Sequence, residues 1–195
     1  MSITYTEEQL IEEIRSVFQN SLDPREQAHL IAQIVEKGFD AGWPLNSDKF
    51  GEENGTYEIY KDEELGHPDA GFMILAYRQP AAKKTVPSPH DHGACFVVYG
   101  VQQGSNTQTR YAYRYSDDRS EMPSLQTTQT IEQLPGNAHY FLPGEIHSTQ
   151  GSSETETIYV RITSMDLTNI IRHRYDVKSG SSRSFSAHDA RTTRK

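Results

Sequence analysis

The chain contains a single cysteine, Cys95, among 195 residues, so no disulfide can form within it. It has no apolar run of the length that a membrane-spanning helix or the core of a secretory signal requires. Nor is there a basic excess: 19 Lys and Arg stand against 27 Asp and Glu, a formal net charge of −8, which disfavours nucleic acid or an anionic membrane as partner. Hydrophobic residues make up only 34%, and 11 tyrosines supply a large share of the ring surface available for burial. Together these absences predict a cytoplasmic protein, monomer or homodimer, whose partners are small molecules. Its length suits one well-buried domain.

The first fifty residues carry helical signals. Thr6 and Gln9 form a capping-box pattern ahead of an apolar stripe of Leu10, Ile11, Ile14, Val17 and Phe18, which predicts a helix from Thr6 to Asn20. Asp23 followed by Pro24 starts a second helix, whose stripe is Leu30, Ile31, Ile34 and Val35 and whose expected stop is Gly38. From Tyr57 the period changes from helix-like to strand-like, and short strands separated by turn residues follow to Thr163. Many short antiparallel strands predict a sandwich or barrel, since closure removes exposed edges. The expected organisation is a helical pair over residues 1–50 packed on a barrel over 51–178, followed by a polar tail over 179–195. A strand-like segment is expected within Ile170 to Val177.

The chemistry concentrates at Pro89-His90-Asp91-His92-Gly93. Two histidines at i and i+2 in an extended segment point to the same side, which is half of a metal site. A third imidazole, His147 in Pro143-Gly144-Glu145-Ile146-His147, would complete a set of neutral nitrogen ligands and leave the far side of a divalent ion open.

These two stretches, with Gly104, Gly136 and Gly144 between and within them, resemble the two-part signature of the cupin superfamily. Three positions depart from it: Lys84 replaces a leading glycine, the proline of Leu142-Pro143 is shifted by one, and Val97 stands where most cupins carry a glutamate ligand. The resemblance implies a mainly β fold, a cupin double-stranded β-helix (jelly-roll) barrel, here with N-terminal α-helices. It implies a metal held by His90, His92 and His147. The three-histidine set, the intervening Asp91, the strand Phe72-Met73-Ile74-Leu75 and the Gln103-Gly104 turn further resemble the cysteine dioxygenase family of thiol dioxygenases. That implies Fe(II) as the metal, although nitrogen ligands also suit Zn, Ni, Cu or Mn, and O₂ as co-substrate.

The departures bear on substrate. The family's catalytic histidine and tyrosine fall at Arg161 and Thr163, its carboxylate-binding arginine falls near Tyr60, and its crosslinking cysteine falls at Val97, so cysteine is not expected as substrate. Strand alternation puts Tyr159, Arg161 and Thr163 on one face of Ile158 to Thr163. If that face is interior, Arg161 and Tyr159 are the expected catalytic groups, and Arg161, Thr163, Tyr60 and Arg78 the expected binding groups for a small anionic substrate. Cys95 reads as a small buried hydrophobe. His139 ends a strand, Glu145 faces solvent, and His29, His67, His173 and His188 have no spacing that marks a site. The expected activity is that of a metal-dependent oxidoreductase, a non-haem iron dioxygenase. A metal-dependent lyase, isomerase or carbon–carbon-cleaving dioxygenase, and a non-catalytic small-molecule-binding cupin, are the alternatives.

Overall fold

A computed structural model describes residues 5–63, 71–81, 87–116, 123–168 and 170–186. Two helices lead: α1 (Glu7–Asn20) and α2 (Pro24–Asp40). The side chain of Thr6 accepts from the backbone N–H of Gln9 at 3.3 Å, and the Gln9 side chain accepts from the Thr6 N–H at 3.0 Å, closing the capping box. Asp23 caps α2 by accepting from the Arg25 N–H at 2.7 Å. That helix does not stop at Gly38. A Cβ there would lie 2.6 Å from Leu10 Cδ1, so the glycine is a close-packing position between the helices rather than a terminator.

Among the described residues ten strands follow: β1 (Gly55–Lys61), β2 (Met73–Gln79), β3 (Val97–Gln103), β4 (Asn106–Arg114), β5 (Ser124–Gln133), β6 (Ala138–Phe141), β7 (Ile146–Gly151), β8 (Thr157–Thr163), β9 (Arg172–Tyr175) and β10 (Ser182–Phe185). One sheet has the order β1-β2-β8-β3-β6; a second contains β5-β4-β7. The extended segment at His90 joins the second sheet between β7 and β9, bridging to His147 on one side and Arg174 on the other. After β2 the chain therefore alternates sheets at nearly every step: His90 in the second, β3 in the first, the β4–β5 hairpin in the second, β6 in the first, β7 in the second and β8 in the first. This winding is a double-stranded β-helix.

The helices cover the outer face of the first sheet. Leu10, Ile14, Ile31, Val35 and Phe39 pack with Ile59, Ile74, Ala76, Val98, Val160 and Ile162 in the main core. Val97, Tyr99, Val101, Phe141 and Tyr159 form a separate cluster on the inner face. The polar tail expected from residue 179 includes β10, which pairs antiparallel with β9 and places Phe185 opposite Arg172. Backbone pairing, which is indifferent to side-chain polarity, holds this Ser/Arg-rich strand. Among the described residues, no helix is long and apolar enough to cross a membrane.

Candidate metal centre

His90 sits on the segment between β7 and β9, His92 two residues on, and His147 on β7. The backbone N–H of His90 donates to the His147 carbonyl at 2.8 Å and the reverse bond is 2.9 Å, so two of the three histidines are direct cross-strand neighbours. Their ring centroids lie 4.6 Å apart, with His92 at 5.2 Å from His90 and 5.1 Å from His147. One nitrogen from each falls within 4.8 Å of the other two. Gly93 follows the pair with φ +60°, and a Cβ there would stand 2.3 Å from the Ile171 carbonyl oxygen, so the turn admits only glycine without displacing the approach to β9.

Burial, and then the neighbouring imidazoles and Arg161, hold His92 well below the usual imidazole range. His147 is lowered in the same way, chiefly by burial, and His90 is brought down to about 4. All three are neutral at physiological pH, the form that ligates metal. His147 Nδ1 lies 3.4 Å from the Glu145 carbonyl and His90 Nδ1 lies 3.3 Å from the Ser88 carbonyl, contacts that fix each ring through that nitrogen. Buried His147 Nε2 and His92 Nδ1 have no hydrogen-bond partner. An unpartnered buried nitrogen is costly. A divalent ion would satisfy such atoms, so the donor set fits one. Val97, fully buried on the inner face, adds an apolar wall and no carboxylate to it.

The strand order by itself gives the fold. No protein-family model matches the sequence, and no curated protein matches it. The chain is similar in structure to a protein with a double-stranded β-helix domain from Klebsiella pneumoniae subsp. pneumoniae, at 11% identity over 74% of this chain and 94% of that one, TM-score 0.40. It is similar also to a cupin protein from Bacteroides fragilis, at 17% identity over 72% and 90%, TM-score 0.40. A third match is an oxalate oxidase in complex with the substrate analogue glycolate, at 15% identity over 49% of this chain and 41% of that one, TM-score 0.34.

Arg161 lies on the inner face. It pairs in register with Tyr99 on one side and Leu75 on the other, and its guanidinium carbon is 5.5 Å from the centre of the Tyr77 ring. Its Nε is buried with no partner. Tyr99 extends toward the histidines, its hydroxyl 3.3 Å from His92 Nε2. Tyr159 stacks on Tyr77 with centroids 4.5 Å apart, and its hydroxyl accepts from Gln79 Nε2 at 3.0 Å. Burial raises both phenols, so they stay protonated. Thr163 is buried between Met73 and Val97 on the same strand face as Arg161.

Two expected binding groups are not brought to the site. Tyr60 packs in the helix-side core, its hydroxyl donating to Asp62 at 2.8 Å, and Arg78 ion-pairs with Glu156 at 2.9 Å beside Phe50. For Tyr60 the reason is a bulge between Glu58 and Tyr60, which reverses the alternation so that Ile59 and Tyr60 both contribute to the helix-side core. Arg78 shares strand parity with Ile74 and Ala76, which face the helices.

Of the other candidates, Cys95 is fully buried, and burial pushes its thiol up to about 11. Glu145 is not simply solvated but ion-pairs with Arg110 at 2.6 Å. His139 is outside the three-histidine group, and His29 lies on exposed helix surface beside Gln33. His67, His188 and Lys84 lie outside the described residues. His173 has a role the sequence reading missed: with Tyr175 it holds the carboxylate of Asp91, the residue between His90 and His92. Arg172 and Arg174 were missed as well. The available signal was the period-2 alternation Arg-His-Arg-Tyr, which puts both arginines on one face.

Proposed function

We propose that this chain is a metal-dependent oxidoreductase, a non-haem Fe(II) dioxygenase of the thiol dioxygenase type in its broad chemistry, acting on a small anionic substrate. The observation that carries the reading is the buried, unpartnered Nε of Arg161 on the strand face that looks toward three neutral histidines. Fe(II) would be held by His90, His92 and His147 and would supply the redox chemistry with O₂. Everything else is done by the side chains. Arg161 holds a substrate carboxylate in a fork of two N–H groups. Tyr77 and Tyr159 wall it off from water, which strengthens that attraction. Tyr99, in register with Arg161 and within reach of His92, supplies a protonated phenol beside the reacting atoms, a part that Thr163 cannot play. An iron site without a carboxylate ligand, flanked by arginine and phenols, supports oxygen insertion into an anion held in place.

The test is oxygen consumption by Fe(II)-loaded protein with a panel of small carboxylates that includes thiol acids and diketo acids. Oxygen uptake with at least one of them is expected. Arg161→Met should weaken that substrate by about 2–5 kcal/mol, the range for removing one partner of a buried charge pair, with iron content unchanged. Absence of oxygen uptake across the panel in iron-replete protein would overturn the reading.

A further inference from the structure

The register of the second sheet places further charge at this site. His90 bridges to Arg174 of β9, and residues directly opposite in an antiparallel pair project to the same face. Arg174, and Arg172 two residues before it, therefore stand on the histidine face, while His173 and Tyr175 turn to the other side and hold Asp91. Phe185 of β10 lies beneath both guanidiniums, 4.5 Å from each. This ring gives Arg172 a fixed seat, so the C-terminal hairpin positions it. Like Arg161, Arg172 has a buried Nε with no partner.

Among the described residues, Arg15, Lys37, Lys49, Lys61, Arg78 and Arg110 pair with a carboxylate, and Arg25, Arg114, Arg174, Lys178 and Arg183, which do not, are exposed to water. Among the described residues, no carboxylate pairs with Arg161 or Arg172. In a chain of net charge −8 this is a pointed omission, because acidic side chains are plentiful. Arg161 lies opposite Tyr99, whose hydroxyl is 3.3 Å from His92 Nε2, and Arg172 shares the face of His90, so both guanidiniums border the same histidine cluster; Arg161 adds to the larger effect of burial in lowering Arg172. A monoanion on Arg161 would leave the second charge uncompensated.

We infer that Arg161 of β8 and Arg172 of β9 form a two-armed clamp for a small dianion, a dicarboxylate or a phosphorylated acid, beside the histidine cluster. The inference rests on the reading of Arg161 as an anion-binding group and extends it to a residue on a separate element. A dianion spans both arms, whereas a monocarboxylate engages one. The substrate class is then set by charge number more than by shape.

Isothermal titration calorimetry on the metal-free protein at constant ionic strength, with malonate, inorganic phosphate and acetate, tests this without turnover. At least one dianion should bind about tenfold or more tightly than acetate. The tighter of malonate and phosphate tells whether the second charge is carboxylate or phosphoryl. Arg172→Met should abolish the dianion preference while leaving acetate within about twofold, and Arg172→Lys should restore part of it. Equal affinity for acetate and both dianions in the parent protein would overturn the clamp whether or not any variant folds, as would an Arg172→Met protein that keeps the preference. Dianion selectivity without oxygen consumption would leave the clamp standing and remove the dioxygenase. Oxygen consumption with a monoanion and no dianion selectivity would do the reverse.

Discussion

The hydroxyl of Tyr175 on β9 donates to the carboxylate of Asp91 at 2.6 Å, joining the C-terminal hairpin to the residue between His90 and His92. Asp91 also accepts from the backbone N–H of Gly93 at 2.9 Å and of His173 at 3.0 Å, and is 96% buried. Tyr175→Phe removes one hydrogen bond to a charged acceptor, and a loss of about 1.5–3 kcal/mol is expected. Urea unfolding measures it. Metal stoichiometry should not change, since the histidine rings lie on the opposite face from Tyr175; an unchanged unfolding midpoint would show that the Tyr175 hydroxyl contributes nothing to holding β9.

His90→Ala and His147→Ala should each lower metal content sharply with the fold retained, because the main core lies on the far side of the first sheet from both rings. Elemental analysis after purification, alongside circular dichroism, reads both properties. Full metal occupancy in either variant would contradict the assignment of ligands.

At Gly100 on β3, an added Cβ would lie 2.6 Å from both Phe39 Cζ and Val35 Cγ1. Helix α2 rests directly on the sheet there, and Gly100→Val should force it away at a cost of about 1–3 kcal/mol, the usual penalty for overpacking. For a chain of this size that corresponds to a fall in Tm of roughly 2–4 °C per kcal/mol. Calorimetry showing no fall would mean that α2 is more loosely seated than these distances indicate.

A thiol raised to about 11 is almost entirely protonated at pH 8, with roughly one part in a thousand as the reactive thiolate. Cys95 in the native protein should react slowly with iodoacetamide, faster by about tenfold per pH unit up to pH 10. In urea it should react at once. Fast labelling of the folded protein at neutral pH would place the thiol nearer solvent than its complete burial allows. Cys95→Ser should keep its metal, since the thiol is not part of the histidine group.

Much of this protein follows from local sequence. The capping pair Thr6 and Gln9, the Asp23-Pro24 start of α2 and the period-2 runs that became β1 to β8 are short-range signals, and the structure realises them within a few residues. The spacing of His90 and His92 likewise guarantees that two rings share a side of an extended segment. Other features depended on contacts between residues far apart in the chain. Gly38 looks like a helix stop until Leu10 and Trp43 pack against it. Tyr60 reads as a possible interior residue until the bulge after Glu58 turns it toward the helices. Nothing in Arg172 or Arg174 themselves announces the site, because their place beside the histidines is set by the pairing of His90 with both His147 and Arg174. Sequence fixes the parity of a strand, which side chains share a face; only non-local register and packing decide which face is interior and which strand lies alongside, and the charge around the metal ligands is set at that level.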